Sequence, residues 1–385
     1  MYDKERYMQA EKLLSIAENY GTPIYVYDLE KIREQYRKLS EAFRDIPTDI
    51  HYAVKANPND AVIRTLDEAG SKFDTVSIQE AEFLLSENIP AENIIYTPSC
   101  PSEDEIRRAF DLGIHIHIGA IEYLDYIGRR FPGKKIGLRI NPDVSVQGNM
   151  KIATAHAMSK FGIPWANNNE LLKKIKKNNL IINGLHIHLG SDVHLLEDLK
   201  KGVNFLAGIH HLFPDLEYLD FGSGLKVKYH KKDSEMNPEE YAAFIREKLK
   251  EINRPLRVKI EPGKFLVAEA GYFLMRVNIV KQGTFKTFAG VNTGFNHMIR
   301  PMYYDAYHEI VNISNPGGKP QIYDVVGNLC EEDTFARSRK ISKIRPGDIL
   351  ALKNAGAYGF IMASHYNMRP LPKEIAVDGD RIFET

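Results

Sequence analysis

The chain has 385 residues, and its 51 Lys plus Arg are balanced by 51 Asp plus Glu. A formal charge of zero leaves no excess of cations for an extended nucleic-acid surface or a polybasic membrane anchor. Hydrophobic residues at 43% and charged residues at 26% are ordinary for a globular protein, and the length allows about two to three domains.

Residues 1–20 read as a charged amphipathic helix. The opening MYDKERYMQAEKLL has no apolar core, so no signal peptide is expected, and no uncharged apolar run approaches the ~20 residues of a membrane span. TPIYVYDL (22–29) is β-branched and aromatic and reads as a strand. A rhythm begins at residue 30. Apolar runs occur at 50–54, 73–77, 93–97, 114–118, 136–140, 184–189, 218–222 and 257–261, separated by helical patterns such as DAVIRTLDEAG and PEEYAAFIREKLKEIN. This alternation means parallel strands with crossover helices. Eight such units in roughly 210 residues fit an α/β fold of the (β/α)8 barrel type, with a doubly wound open sheet as the competitor. After residue 265 the pattern changes to strand-like runs punctuated by Gly and Asn: GYFLMRVNIVKQG, KTFAGVNTG, KPQIYDVVG and GDILALKNAG. These predict an all-β domain. Strand 22–29 has no place in the barrel count and is expected to join it. The expected division is a barrel over 30–265 and a β domain from 1–29 and 266–385. The only cysteines are Cys100 and Cys330, which argues against a disulfide framework and for a reducing, cytoplasmic setting.

Active groups of such barrels follow the C-terminal ends of the strands. Lys55 follows the first run in HYAVKANP. Burial there would lower its ordinary pKa of ~10.4 and make it a Schiff-base nucleophile; a solvated strand-end lysine is the other possibility. His186 and His188 alternate in HIHLGSD and share a strand face. They could ligate a metal, although no third ligand is evident and none is expected, could stack on a flat ligand beside Gly190 and Ser191, or could be hydrogen-bonded core residues. Gly222, Ser223 and Gly224 follow the seventh run, where this fold places phosphate, yet many turns look the same. Glu261 opens EPGK (261–264) after the eighth run, either as a site carboxylate or in a rim salt bridge. Together an amine, an imidazole, an anion cradle and a carboxylate are the parts that pyridoxal phosphate requires. The β domain adds Cys330 and Glu331 in CEEDTFA, Tyr358 in NAGAYG, and Arg300, Tyr303 and Tyr304 in IRPMYYDAY. Cysteine can deliver a proton and arginine can grip a carboxylate, against the plainer alternatives of an inert buried thiol and a surface cation.

The motifs YAVKAN, FDTVS, SKFGI, HLGSD, EPGK, NTGFNHMIRPMYYDAYHEI, CEEDTFA and NAGAYG occur in one order over nearly the whole chain. In this the sequence resembles the fold-type III pyridoxal-phosphate decarboxylases, in particular the branch acting on diaminopimelate. The resemblance implies decarboxylation of meso-2,6-diaminopimelate to L-lysine and carbon dioxide, with pyridoxal 5'-phosphate as cofactor. Lys55 would form the Schiff base, His188 would stack on the ring and Glu261 would pair with its nitrogen. Gly222, Ser223, Gly224 and the backbone around Gly263 would hold the phosphate, and Tyr358 would also reach the cofactor. Asp74, Arg139 and Ser191 would lie close by. Arg300 and Tyr304 match the RPxxY pair that binds the distal carboxylate end of the substrate, and Glu331 would meet its amino group. Cys330 would donate a proton in the partner subunit's site, making the expected assembly a head-to-tail homodimer.

Four positions depart from the family's commonest pattern. The loop is GSG rather than GGG. Lys264 replaces an arginine that touches phosphate or substrate, which keeps the charge but loses the fork. Asp192 follows Ser191 where Gln is commoner, and Glu332 follows Cys330 and Glu331 where Ser is commoner. Related decarboxylases of ornithine, arginine or carboxynorspermidine are the nearest alternatives. The ornithine enzymes carry Cys-Asp and lack the RPxxY arginine, so Arg300 favours a substrate with a second carboxylate. A racemase and a pyridoxal-phosphate-binding regulator without turnover are more distant alternatives. No nucleic-acid or membrane partner is expected.

Overall fold

A computed structural model describes residues 8–144, 154–191, 193, 195–233 and 236–385. Its first strands in chain order are β1 (Ile24–Asp28), β2 (Thr48–Ala53), β3 (Lys72–Thr75), β4 (Ile94–Tyr96), β5 (His115–Ile118), β6 (Lys135–Asn141), β7 (Ile163–Pro164), β8 (Ile181–His186), β9 (Tyr218–Asp220) and β10 (Arg257–Ile260). They are followed by β11 (Gly271–Gln282), β12 (Thr287–Val291), β13 (Ile310–Asn312), β14 (Pro320–Val326), β15 (Thr334–Ser342), β16 (Ile349–Lys353), β17 (Lys373–Asp378) and β18 (Arg381–Glu384).

β2, β3, β4, β5, β6, β8, β9 and β10 pair in parallel, and β5 pairs with β6 to close the ring. Closure excludes the open sheet, and each of the eight sequence runs contributes one barrel strand. The two-residue β7 lies beside β6 and was not foreseen. The run at 184–189 is displaced: β8 starts at Ile181 and ends at His186. Ile187 to Leu189 therefore leave the strand and lead into the loop at the barrel mouth. Gly184 is required inside β8, because a Cβ there would meet the Tyr218 ring at 1.9 Å. The barrel interior thus admits a tyrosine where an aliphatic layer is the rule.

The second sheet runs β15-β14-β12-β11-β1-β17-β18, with β16 beside β11 and β13 beside β16. β1 is antiparallel to β11 and parallel to β17, as expected for a strand excluded from the barrel. Strand alternation explains its continuous apolar run. Tyr25 and Tyr27 pack into the large core shared with the barrel, while Ile24 and Val26 face a smaller core with Tyr272, Leu274 and Val377. The helix Ala10–Tyr20 covers that second face through Leu13, Ile16 and Ala17. The helix expected over 1–20 is described only from Ala10, and residues 1–7 lie outside the described residues.

The segment after β16 is tied to loops at the barrel mouth. The Tyr358 backbone N–H donates to the Ala56 carbonyl at 2.8 Å, Asn57 Nδ2 to the Gly356 carbonyl at 3.0 Å, and Asn354 Nδ2 to the Lys228 carbonyl at 3.1 Å. Among the described residues no helix is long and apolar enough to cross a membrane.

Candidate active site

Lys55 is presented by a single 3-10 turn, Val54–Ala56, directly after β2. Val54 and Ala56 are buried on either side of it and fix the turn. Lys55 Nζ donates to Asp74 Oδ2 on β3 at 3.0 Å. This pairing corrects the expectation of an uncharged lysine. Burial opposes the charge, but Asp74, Tyr358 and Glu261 outweigh it and push the ammonium above its ordinary value. Burial and the Glu261 charge in turn push the Asp74 carboxyl up to about 7, with Lys55 pulling it back. Asp74 Oδ1 is buried with no partner among the described residues.

A second buried pair lies across the barrel. His186, the last residue of β8, sets Nε2 3.0 Å from Oε2 of Glu261, which follows β10. Burial holds His186 below its ordinary value, so the neutral imidazole gives its Nε2–H to the carboxylate. Burial works against a charge on Glu261, yet the hydrogen bond from His186 and the Lys55 charge hold the carboxyl well below the usual range. Glu261 Oε1 is buried and unpartnered among the described residues. His188 has a different neighbour: the Ser223 backbone N–H donates to its Nδ1 at 3.3 Å. The two histidines therefore do not converge on one ion. His117, His186, Asp220 and Glu261 do bring ligand atoms within 4.8 Å of one another. Both His117 nitrogens are already engaged, however, Nδ1 with Thr97 Oγ1 at 3.1 Å and Nε2 with Tyr218 Oη at 2.7 Å.

The glycine loop after β9 is shaped by close approach. Gly222 has φ +60°, and a Cβ on it would lie 2.5 Å from the Ile187 carbonyl and 2.7 Å from His188 Nδ1. Gly224 has φ +133°, and its Cβ would lie 2.7 Å from Val193. At Gly263 a Cβ would come within 3.1 Å of Ala56, beside Lys55.

These groups surround a cavity of about 630 Å³. Its wall includes the expected Lys55, Asp74, Arg139, His188, Ser191, Glu261, Lys264, Arg300, Tyr304 and Tyr358. Arg300 and Tyr304 arrive on the short helix Arg300–Tyr304 of the second sheet's connections. Gly222 and Ser223 reach this wall through His188, whereas Gly224 packs on Val193 and Gly263 on Ala56 beside Lys55, and none of the four lines the cavity itself. Cys330 and Glu331 are not part of it. Both are exposed, and Tyr366 Oη stands 3.5 Å from Cys330 Sγ and donates to Glu331 Oε1 at 2.8 Å. Asn367 Nδ2 approaches the same sulfur at 3.3 Å. The Tyr366 and Asn367 hydrogen bonds lower the thiol from its ordinary value. Cys330 is therefore not the inert buried thiol that was the alternative. Asp192, named among the departures, lies outside the described residues.

Sequence reasoning missed several wall residues, notably Thr154, Lys226, Tyr229 and Asp233. The last three follow the FGSG loop within ten residues and could have been found by reading past the glycines. Phe161 was visible only as part of SKFGI. Its ring lies 4.7 Å under the Arg139 guanidinium and holds that cation at the wall.

Comparison with known proteins follows the same outline. The description "pyridoxal-dependent decarboxylase, pyridoxal binding domain" matches residues 29–268. A diaminopimelate decarboxylase of Methanothermobacter thermautotrophicus is 36% identical, with 94% of this chain and 88% of the relative aligned. One of Aquifex aeolicus is 33% identical over 99% of this chain and 92% of the relative. The crystal structure of diaminopimelate decarboxylase from Helicobacter pylori complexed with L-lysine superposes with a TM-score of 0.89 at 31% identity, covering 97% of this chain and 95% of the other.

Proposed function

The chain belongs to the pyridoxal-dependent decarboxylases, within the diaminopimelate decarboxylase family, and we propose on that footing that it converts meso-2,6-diaminopimelate to L-lysine and carbon dioxide. The observation that carries this is one cavity walled by a lysine, a buried carboxylate with a free oxygen, and an arginine. The residues fit pyridoxal 5'-phosphate. Glu261 Oε1 is an unpartnered acceptor suited to a ring nitrogen, and a Cβ at Gly222 or Gly224 would collide with Ile187, His188 or Val193, so this loop must present bare backbone of the kind that suits an anion. When bound, that cofactor supplies an aldehyde to condense with an amine and a protonated ring that draws electrons from the bond to be broken.

Lys55 is the condensing amine. Its Nζ must lose a proton first, and Asp74, with a carboxyl near neutrality, is the adjacent acceptor. Glu261, kept ionised by His186, would hold the proton on the cofactor's ring nitrogen. His188 would lie against the ring. Gly222, Ser223, Gly224, Gly263 and the charge of Lys264 would hold the phosphate, with Ser191 and Tyr358 alongside. Arg300 and Tyr304 take the distal carboxylate, which orients the carboxylate that leaves. Lys264 and Tyr358 also border the substrate.

Cys330 and Glu331 act in trans. Their separation from the cavity wall supports a homodimer in which Cys330 delivers a proton to the carbon that lost carbon dioxide and Glu331 meets the distal amine. Exposed Tyr366 and Met368, 39% and 96% accessible, give the same surface an apolar content suited to an interface. Residues 30–265 hold the cofactor, and residues 1–29 with 266–385 supply substrate and dimer contacts. The two unpaired cysteines suit the cytoplasm. Release of carbon dioxide from meso-diaminopimelate, measured beside ornithine and arginine on the purified, cofactor-loaded protein, tests the assignment. Preference for diaminopimelate supports it. Preference for ornithine or arginine would move the chain to a sister activity of the same fold, and no release from any of the three would favour a regulator.

A further inference from the structure

Arg300 is aimed by a histidine that has no place in the chemistry above. His308 is 1% exposed and lies between two fixed partners. Its Nδ1 is 2.9 Å from the Lys353 carbonyl at the end of β16, and its Nε2 is 3.2 Å from Arg300 Nε. A carbonyl oxygen only accepts and a guanidinium N–H only donates. The tautomer is therefore fixed, with Nδ1 carrying the proton and Nε2 offering a lone pair. Tyr229 completes the mount. Its ring lies 5.3 Å beneath the Arg300 guanidinium and meets His308 edge-on at 5.2 Å. Arg300 is 7% exposed, and among the described residues neither terminal amino group donates a hydrogen bond.

We propose that His308 is a positioning residue that engages Arg300 Nε and so reserves the two-nitrogen edge of the guanidinium for the substrate's distal carboxylate. The planar fork matches a carboxylate only when its plane is set in advance, and a guanidinium free to rotate loses that match. A neutral His308 is required, since an imidazolium has no lone pair for Nε. Burial and the Arg300 charge both push His308 down, to about 3, so the acceptor persists through the working range. The role rests on Arg300 binding the distal carboxylate.

The test compares two amides in the cofactor-loaded enzyme. The short amide of His308→Asn can keep the Lys353 hydrogen bond but does not reach Arg300. The longer amide of His308→Gln can place an oxygen where Nε2 was. L-lysine keeps the distal carboxylate and cadaverine lacks it. Both are titrated against the visible absorbance of the holoenzyme, and KM and kcat for meso-diaminopimelate are measured alongside. For His308→Asn the expected result is about a tenfold or greater weakening of L-lysine, as for loss of a charge-assisted hydrogen bond. KM should rise more than kcat falls, cadaverine binding should hold, and His308→Gln should recover most of the loss. Equal weakening of both ligands, or no change in L-lysine binding, would overturn the role of His308. Arg300→Gln separates the two levels. If it too leaves L-lysine binding intact, the Arg300 assignment fails; if it weakens L-lysine while His308→Asn does not, only the inference about His308 fails.

Discussion

His186 Nε2 stands 3.0 Å from Glu261 Oε2, and the other oxygen of Glu261 is buried with no partner among the described residues. A buried carboxylate satisfied on one side and bare on the other is costly unless a ligand completes it. The half-filled valence is what suits Glu261 to a protonated ring nitrogen.

Glu261→Gln keeps the shape and removes the charge. Turnover should fall about a hundredfold or more, as when a preorganised electrostatic partner is lost, while cofactor loading falls far less. Carbon dioxide release and the visible spectrum, read on the same sample, separate the two. Unaltered turnover would remove Glu261 from the chemistry.

Mixed dimers test the shared site. Lys55→Ala and Cys330→Ala are each expected to be nearly inactive alone. When the two are mixed and subunits exchange at random in a two-fold dimer, roughly a quarter of all sites regain both side chains if Cys330 serves its partner. No recovery, despite exchange shown by mass spectrometry, would place Cys330 in its own chain's site or outside catalysis.

A third expectation concerns stability. Tyr27 Oη donates to Glu374 Oε1 at 2.6 Å, yet burial pushes that carboxyl from 4.5 to about 7. Its folded value lies above its unfolded one. The folded state therefore keeps a proton that the unfolded state has released, and this contribution is full below about 4.5 and lost as pH rises to 7. Glu374→Gln should raise Tm at pH 8, by an amount that vanishes near pH 4. Equal melting curves at both pH values would contradict the shift.

The barrel was legible because its strands are covered on both faces and read as unbroken apolar runs. β15 was missed for the opposite reason. TFARSRKIS exposes Arg337 and Ser338 and carries Arg339 and Lys340 beyond them, so half of its pattern is polar. Lys55 and Glu261 could be found because each follows its strand directly. The charge on Lys55 could not, because Asp74 becomes its neighbour only when β2 and β3 pair. The contact of Tyr229 with Arg300 was silent for the same reason, because it forms when a barrel loop closes onto the second sheet. His308 stands only eight residues from Arg300, yet nothing in that spacing marks their hydrogen bond.

The chemistry depends most on the amine of Lys55. Lys55→Ala, and Lys55→Arg as a charge-retaining control, should both lack the long-wavelength absorbance that the wild type develops with pyridoxal 5'-phosphate, and both should release no carbon dioxide from meso-diaminopimelate. If either variant kept that absorbance and turned over substrate at the wild-type rate, Lys55 would not be the condensing group and the central claim would be contradicted.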